Sequence, residues 1–459
     1  MSGLLRHPLF PLGLALRLVI AASVSPAPVT EWYAPFLETA SFSPDPWAVW
    51  LAAGGSLAAF PYGYAQWLMF LPATALFKAA GLPVFYAYYL TLLAADAGLL
   101  ATLRAMRPGR DTLLLFAYWL SPIVILGTYF LGLNDILPSF LLLLSLFYMR
   151  GRRCLRAGFL CVAAVSAKLS MLIAAPFFLI YLWHNKPMRR LIPLFLKGAG
   201  LAAALFLGPF MLSASGRLML FSNQELNKVV QLSIEVSRWA SVQVVPLAYL
   251  LVLYAAWRLK RLNYGLFEAL LGIAFFTIIL LMPGSLGWFV WMVPFLVLYQ
   301  AQADRLAAGL VFVFSLFYLA AGSVPGWLAG AFGLPPLFFR QIPSSLYTVM
   351  TALGVVICVR MWREAVRRND FFRFSKKPFV IGIAGDSGSG KDTLASSLVG
   401  LFGRHSVACL SGDDYHHWDR HENMWKVITH LNPMANDLEA FTRNLVDLID
   451  GKPIQARRY

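Results

Sequence analysis

The stretch GIAGDSGSGKDTLASSL, residues 382–398, has the residue types and spacing of a loop that binds nucleotide phosphates. Its central part, 385–391, fits the pattern G-x-x-x-x-G-K and lies between an apolar run and a segment with helical spacing. Glycines let successive backbone amides point at one phosphate, the helix N-terminus adds positive potential, and Lys391 can reach the β- and γ-phosphates. The pattern predicts ATP as the ligand. The candidate nucleotide-binding residues are Gly385, Asp386, Ser387, Gly388, Ser389, Gly390, Lys391, Asp392 and Thr393.

Asp392 follows the lysine at the position where this pattern normally has serine or threonine. Hard cations favour carboxylate oxygen, so Asp392 is a candidate ligand for Mg²⁺. Two alternatives stay open at this point. Thr393 can supply the missing hydroxyl, or Asp392 simply places negative charge at a helix N-terminus, where such charge is stabilising.

Strand and helix patterns alternate around this loop. FVIGIAG, residues 379–385, reads as a buried strand, and 393–401 has helical spacing. SVACLSG, 406–412, reads as a second strand, and Leu438 to Ile449 as a further helix. This order predicts an α/β domain with a parallel sheet.

Four short motifs follow in order: GDDYH at 412–416, DR at 419–420, LNPMAND at 431–437 and LIDGKPI at 448–454. Together with the phosphate loop they resemble the phosphoribulokinase and uridine kinase family of P-loop kinases, over residues 378–459. The resemblance implies a doubly wound fold that transfers the γ-phosphate of ATP, with Mg²⁺, to a sugar or nucleoside hydroxyl. It implies that Asp413 is the general base acting beside Lys391. Its implied acceptor-binding residues are Tyr415, His416 and Arg420.

Kinases of this kind continue beyond the GKPI stretch, whereas this sequence stops at Tyr459. We therefore expect the N-terminal part of a kinase domain, in a fragment of a longer protein, with weak nucleotide binding and little catalysis. The alternative is an incomplete kinase half. A zinc site is a further alternative, although the histidines have no compact metal-ligand spacing. Its candidate ligands are His416, His417, His421 and His430.

The first 361 residues have a different composition. The whole chain is 59% hydrophobic and 13% charged, where soluble proteins have roughly 25% charged residues. Long apolar runs, such as 111–131 and 191–212, are long enough to cross a hydrocarbon core. We predict a polytopic α-helical membrane domain of about 12 spans at 1–361. A basic linker at 362–377 joins it to the kinase domain at 378–459.

Charge distribution predicts the orientation. The net charge of +16 comes from short lysine and arginine clusters between apolar runs, which indicates positive-inside topology rather than nucleic-acid binding. The predicted external loop at 25–60 has acidic residues and no lysine or arginine. We therefore predict a multi-pass protein of the cell membrane, in contact with the lipid bilayer, with a cytosolic C-terminal domain. Segments 213–243 and 323–344 are predicted to be further external loops, and 64–76 an interfacial or re-entrant piece.

The loop TEWYAPFLETASFSPDPWAVW, the sequence FPYG and the segment that begins LGLNDIL resemble polytopic glycosyltransferases of the GT-C kind. The resemblance implies a polyprenyl-phosphate sugar as donor and an acidic residue of the first external loop as catalytic base. That residue would be Glu31, with Glu38 or Asp45 as alternatives. Two other functions stay open: a transporter, or a membrane sensor with a regulatory nucleotide-binding domain.

Ionisable residues inside apolar segments are costly and therefore candidates for function. Lys168 either binds a lipid phosphate or pairs with Asp135, which follows Asn134 where a predicted span meets the outside. For Asp96 a helix-packing role is favoured. The four cysteines have no metal-ligand spacing.

Overall fold

The computed structural model describes residues 2–40, 42–259, 261–282, 284–332, 336–369 and 378–455. Side chains are described at these positions except 2–3, 323–332 and 336–340. The chain divides into two compact units, Met1–Val366 and Arg367–Tyr459.

The first unit is mainly helical. Its α-helices are Ser2–Leu5, Leu9–Ser23, Ala34–Ala40, Pro46–Ala52, Tyr64–Ala79, Val84–Met106, Asp111–Leu114, Pro122–Val124, Ile136–Arg150, Cys154–Ala167, Ala175–His184, Lys186–Arg189, Ile192–Ala202, Gly208–Leu212, Ala214–Phe221, Lys228–Gln231, Val244–Arg258, Tyr264–Leu281, Val293–Gln300, Arg305–Phe332 and Pro336–Arg367. Wider π-helical turns are Pro28–Tyr33, Leu115–Trp119, Ile125–Phe130 and Ala203–Leu207, and tighter 3₁₀ turns are Leu169–Ala174, Gln224–Asn227 and Leu286–Met292.

Six helical segments in the described part of the chain are long and apolar enough to cross a membrane, or up to seven if one bent pair counts as a span. The six are Val84–Met106, Asp111–Phe130, Ile192–Leu212, Tyr264–Leu281, Arg305–Gly322 and Gln341–Arg367. The bent pair is Leu9–Ser23 and Pro28–Ala40, at 68°. The predicted count of about 12 is not confirmed. Several other predicted positions are apolar helices that are shorter than a full span, such as Ile136–Arg150 and Cys154–Ala167.

Helices in the first unit pack closely where small residues meet. Gly158 and Gly198 lie at the contact between Cys154–Ala167 and Ile192–Ala202. A Cβ on Gly158 would lie 2.0 Å from the carbonyl oxygen of Phe195. One on Gly198 would come still closer to the backbone of the opposite helix. The two backbones can approach this closely because both positions are glycine, as in small-residue contacts between membrane helices.

A buried ion pair joins the first long helix to its neighbours. Arg17 Nε donates to Asp96 Oδ2 at 2.7 Å, and both side chains are fully buried. Asp96 also accepts hydrogen bonds from the hydroxyls of Tyr118, at 2.7 Å, and Tyr129, at 2.9 Å. The Arg17 guanidinium lies 3.8 Å from the ring centroid of Trp119. The packing role predicted for Asp96 agrees with these contacts.

All three predicted external loops contain regular structure, which in 25–60 includes the helices Ala34–Ala40 and Pro46–Ala52. Residues 213–243 contain the helix Ala214–Phe221 and an antiparallel hairpin of Ser233–Ser237 and Ala240–Gln243. The prediction of an external loop at 323–344 is wrong, because helix Arg305–Phe332 extends into it and Pro336–Arg367 begins within it. Proline is tolerated at the first residue of a helix, where its missing N–H is not needed. The segment predicted as re-entrant is the helix Tyr64–Ala79, which contains Pro72.

The second unit contains the α-helices Lys391–Phe402 and Leu438–Ile449 and the 3₁₀ turns Asp413–Tyr415, Asn423–Lys426 and Pro433–Ala435. Both helices were predicted, the second with these bounds. In its described residues the buried hydrophobic side chains are Tyr415 and Ala435. Beyond the last helix, Lys452 Nζ donates to Asp447 at 3.0 Å, and this hydrogen bond raises the pKa of Lys452.

The two strands predicted in the second unit are not formed in the structure. Residues 379–385 and 406–412 are neither helix nor paired strand. Phe379, which was expected to be buried, is 74% exposed. A strand needs a neighbour to satisfy its backbone hydrogen bonds and a layer to cover its side chains. In the described residues of this unit no strand pairs with the apolar run, and Val380 and Ile381 are exposed as well.

Candidate functional site

The phosphate loop is built around two glycines in the left-handed conformation. Gly388 has φ 77° and Gly390 has φ 84°, values that other residues adopt at a steric cost. Gly390 immediately precedes helix Lys391–Phe402. The turn therefore ends at the helix N-terminus, where unpaired N–H groups and the helix dipole favour an anion.

Lys391 is folded back over the loop. Its Nζ donates to the carbonyl oxygens of Gly385 and Asp386, each at 2.8 Å. Within the loop, the Ser389 amide donates to Asp386 O at 3.2 Å. A bound phosphate would exchange these carbonyl contacts for stronger charge-assisted ones to the ammonium. The loop has the glycine turn and the adjacent lysine that the sequence predicts, and its binding of nucleotide phosphates stays a prediction.

Asp392 and Thr393 occupy the first turn of the same helix, and both are exposed. Mg²⁺ at such sites is held by one or two carboxylates together with substrate phosphates. The oxygen donors at these two positions fit that requirement. Which of the two would bind the ion stays open, as it was from the sequence.

Asp413 begins a short 3₁₀ turn, Asp413–Tyr415, and its side chain is 79% exposed. His416 Nε2 lies 3.9 Å from Asp413 Oδ1. An exposed carboxylate in a tight turn is available to accept a proton from a substrate hydroxyl. The imidazole beside it can orient the carboxylate.

Tyr415 is buried, in contrast to its neighbour Asp413. Its hydroxyl accepts a hydrogen bond from Asn444 Nδ2 at 2.8 Å, and its ring packs edge-on against Phe441 at 5.2 Å. Both partners belong to helix Leu438–Ile449. Tyr415 therefore attaches the turn Asp413–Tyr415 to this helix, and its predicted contact with an acceptor stays a prediction.

His416 belongs to an aromatic cluster that the sequence did not reveal. Its ring centroid lies 5.1 Å from that of Trp425 and 4.9 Å from that of His430. The rings of Trp425 and His430 stack at 3.7 Å. Arg420, the third predicted acceptor residue, is exposed. No group of three His, Cys, Asp or Glu side chains in the described residues is placed to hold a metal, so the zinc alternative gains no support.

Residues 380–459 match the family described as phosphoribulokinase / uridine kinase. This segment is a domain of that family. Among curated relatives, a phosphoribulokinase of Synechocystis sp. is 36% identical over 80 residues, which cover 17% of this chain and 24% of the relative. A uridine kinase of Staphylococcus epidermidis is 37% identical over 82 residues, covering 17% and 40%. A chloroplastic phosphoribulokinase of Triticum aestivum is 33% identical over 103 residues, covering 18% and 25%. The chain thus spans well under half the length of each of these relatives.

The side chains of the LNPMAND motif, 431–437, stabilise the loop that leads into the last helix. Asn432 accepts a hydrogen bond from the Met434 amide at 3.0 Å and so caps the turn Pro433–Ala435. Asn436 Nδ2 donates to the carbonyl oxygens of His430, at 3.0 Å, and Asn432, at 2.9 Å. Asp437 caps the last helix by accepting from the Ala440 amide at 3.0 Å. These side chains fix the loop that carries His430.

A second group of polar side chains lies within the first unit. Asp135 is buried and forms an ion pair with Lys168. Trp291 Nε1 also donates to Asp135 Oδ1, at 2.6 Å. The Lys168 ammonium lies 5.2 Å from the Trp291 ring centroid and 5.7 Å from that of Tyr62. Of the two roles considered for Lys168, the structure shows the pairing with Asp135.

This ion pair lies where helices are interrupted. Lys168 is extended, with φ −154° and ψ 121°, between Cys154–Ala167 and the 3₁₀ turn that follows. Asp135 precedes helix Ile136–Arg150 after the left-handed Gly132. Ionisable residues at interrupted helices in an apolar unit are typical of substrate or ion sites. We take this pair, the Lys168–Asp135 site, as the candidate functional site of the first unit.

The acidic residues predicted as a catalytic base are either exposed or engaged in other contacts. Glu31 and Glu38 are exposed. Asp45 caps helix Pro46–Ala52 and accepts from Ser213 Oγ at 2.7 Å. The proposed base role of Glu31 stays a prediction.

Proposed function

We propose that the second unit binds ATP and transfers its γ-phosphoryl group to a hydroxyl of a sugar or nucleoside. The observation that carries this proposal is the loop that ends at Gly390 and Lys391, in a segment that matches a kinase family. Relatives named phosphoribulokinase and uridine kinase support both acceptor classes.

In the proposed reaction the acceptor oxygen forms a bond to the γ-phosphorus while the bond from that phosphorus to the β–γ bridging oxygen breaks, and ADP leaves. Asp413 accepts the proton of the attacking hydroxyl. Lys391 and the loop amides offset the charge on the phosphoryl oxygens. Mg²⁺, held through Asp392 or Thr393, would supply further positive charge when bound.

Nucleotide binding tests the role of Lys391. The Lys391→Ala variant is expected to bind ATP about 10- to 100-fold more weakly, since a charge-assisted hydrogen bond contributes about 1.5–3 kcal/mol. Lys452→Ala is the matched control, because Lys452 is an exposed lysine of the same unit paired with Asp447. Equilibrium dialysis of the purified full chain with labelled ATP measures both. Equal affinities in the two variants would count against the proposed phosphate loop.

We also propose that the first unit is embedded in the cell membrane, with the second unit on the cytosolic side. Its long apolar helices support this placement. Cys409, an exposed thiol of the second unit, offers a direct test, since Cys154 and Cys161 are buried. A membrane-impermeant maleimide should label Cys409 after the cells are permeabilised and leave it unlabelled in intact cells. Cys409→Ala identifies the labelled position, and labelling in intact cells would overturn the orientation.

For the first unit we propose substrate binding at the Lys168–Asp135 site, because a buried ion pair there lies at interrupted helices. The family match covers residues 380–459 and so carries no information on this unit. Glycosyl transfer from a polyprenyl-phosphate sugar is the reaction that we propose from its sequence. Incubating membranes with labelled donor distinguishes it from transport. Incorporation of the sugar into an acceptor supports transfer, and uptake into vesicles without incorporation supports transport.

A further inference from the structure

The antiparallel hairpin in the first unit projects apolar side chains that no other part of the described chain covers. Its strands are Ser233–Ser237 and Ala240–Gln243. Ile234 is 62% exposed, Val236 68% and Trp239, in the turn, 90%. An isolated two-stranded hairpin is marginally stable in water at best. Such a hairpin therefore needs a surface against which these side chains pack.

The hairpin has one apolar face and one polar face. Ile234 lies directly opposite Val242, so their side chains share a face. Glu235 lies opposite Ser241 on the other face. A register irregularity follows Glu235, which bends the hairpin near its turn. The surroundings of the hairpin must therefore be apolar at the face of Ile234 and Val242 and aqueous at the face of Glu235 and Ser241.

The adjoining helix indicates which surface this is. Strand Ala240–Gln243 runs without a break into helix Val244–Arg258. That helix exposes leucines along its length, with Leu250 at 57% and Leu251 at 60%. In the membrane placement proposed above these leucines contact lipid. The base of the hairpin then lies at the N-terminal end of this lipid-facing helix, which has 15 residues and is shorter than a full span.

The residues in the turn fit the same environment. Arg238 and Trp239 connect the two strands. Tryptophan is enriched at membrane–water interfaces, and arginine can reach the headgroups while its stem lies along apolar surface. On the N-terminal side, Lys228 pairs with Glu225 at 2.7 Å and lies 5.3 Å from the Trp288 ring centroid. The contact with Trp288 joins the start of the segment to the body of the unit.

We propose that this hairpin lies in the interface of the bilayer that holds the first unit, with its apolar face and Trp239 among the lipid headgroups and upper acyl chains. The inference rests on the proposed membrane placement. It assigns a lipid contact to residues 233–243, which belong to the external loop that the sequence predicts at 213–243.

The test uses nitroxide labels on the full chain in nanodiscs of phosphatidylcholine and phosphatidylglycerol. Cys358→Ala and Cys409→Ala remove the thiols that are not fully buried. Single labels are then introduced at Trp239→Cys and, on the polar face, at Ser241→Cys. Collisions with oxygen report lipid, and collisions with a water-soluble nickel complex report water. We expect the label at 239 to gain oxygen collisions and lose nickel collisions relative to the label at 241.

A third label, at Leu250→Cys, tests the membrane placement separately from the hairpin inference. Lipid exposure at 250 combined with full water exposure at 239 overturns the hairpin inference and leaves the membrane placement intact. Water exposure at both positions overturns the two together. Spin–spin broadening between labels at 239 of two chains, without oxygen access, also overturns the inference, because a second copy would then cover the face.

Discussion

The Asp413→Asn variant is expected to transfer the γ-phosphoryl group of ATP about 10²- to 10⁴-fold more slowly than the unsubstituted chain, the usual contribution of a general base. Its affinity for ATP should stay unchanged, because in the proposed reaction Asp413 receives a proton from the acceptor, and its neighbour in the structure is His416. The amide is nearly the same size as the carboxylate and cannot accept that proton. Transfer of label from γ-labelled ATP and equilibrium dialysis measure the two quantities separately.

Asp414→Asn is the matched control, since it makes the same change at the next residue of the same turn. It should retain most of the transfer rate. An equal loss in both variants would show that the turn needs its negative charge in general, and would contradict the assignment of the base to Asp413. Loss of ATP binding in Asp413→Asn would contradict it as well.

The second large effect concerns the Arg17–Asp96 ion pair. Arg17→Met should destabilise the first unit by about 3–5 kcal/mol, the cost of removing one partner of a buried pair. Asp96 would keep its hydrogen bonds from Tyr118 and Tyr129 but lose its cation. Denaturant titration of the full chain in detergent, followed by tryptophan fluorescence, measures the free energy of unfolding.

The Arg104–Asp111 pair provides the control. Arg104 makes two parallel hydrogen bonds to Asp111, at 2.9 and 2.8 Å, but both side chains are 26% exposed. Surface pairs contribute about 0–1 kcal/mol, so removing this partly exposed pair with Arg104→Met should cost less than Arg17→Met. A double variant, Arg17→Met with Asp96→Asn, should recover part of the loss because it leaves no unpaired charge. If both variants lost the same free energy of unfolding, burial of the Arg17–Asp96 pair would not explain its contribution to stability.

Local motifs of the second unit were predictable from sequence. The G-x-x-x-x-G-K pattern constrains the backbone directly, and the structure places Gly388 and Gly390 in the left-handed region before a helix. The last helix was also predicted, since a helix forms its backbone hydrogen bonds within one contiguous segment. The prediction of the two strands was wrong because a strand, unlike a helix, needs a partner from another segment. Their formation depends on a neighbouring strand, and an apolar run such as FVIGIAG does not contain that partner.

In the first unit the prediction was limited by contacts between residues far apart in sequence. Hydropathy locates apolar segments, but it does not show where the backbone breaks, so the count of about 12 spans is not confirmed. The pairing of Lys168 with Asp135 was one of two alternatives, because it depends on two such breaks lying side by side. Trp291 was missed, since no local pattern connects it to Asp135, 156 residues earlier.

The most direct test of the central claim is the fate of the γ-phosphate of ATP. Purified full chain in nanodiscs is incubated with γ-labelled ATP, Mg²⁺ and a panel containing uridine, other nucleosides and pentose phosphates. The account predicts that the label appears on a hydroxyl of at least one panel member, and that Lys391→Ala and Asp413→Asn each remove this product. Release of label solely as inorganic phosphate, at the same rate in all three proteins, would contradict the assignment of a kinase.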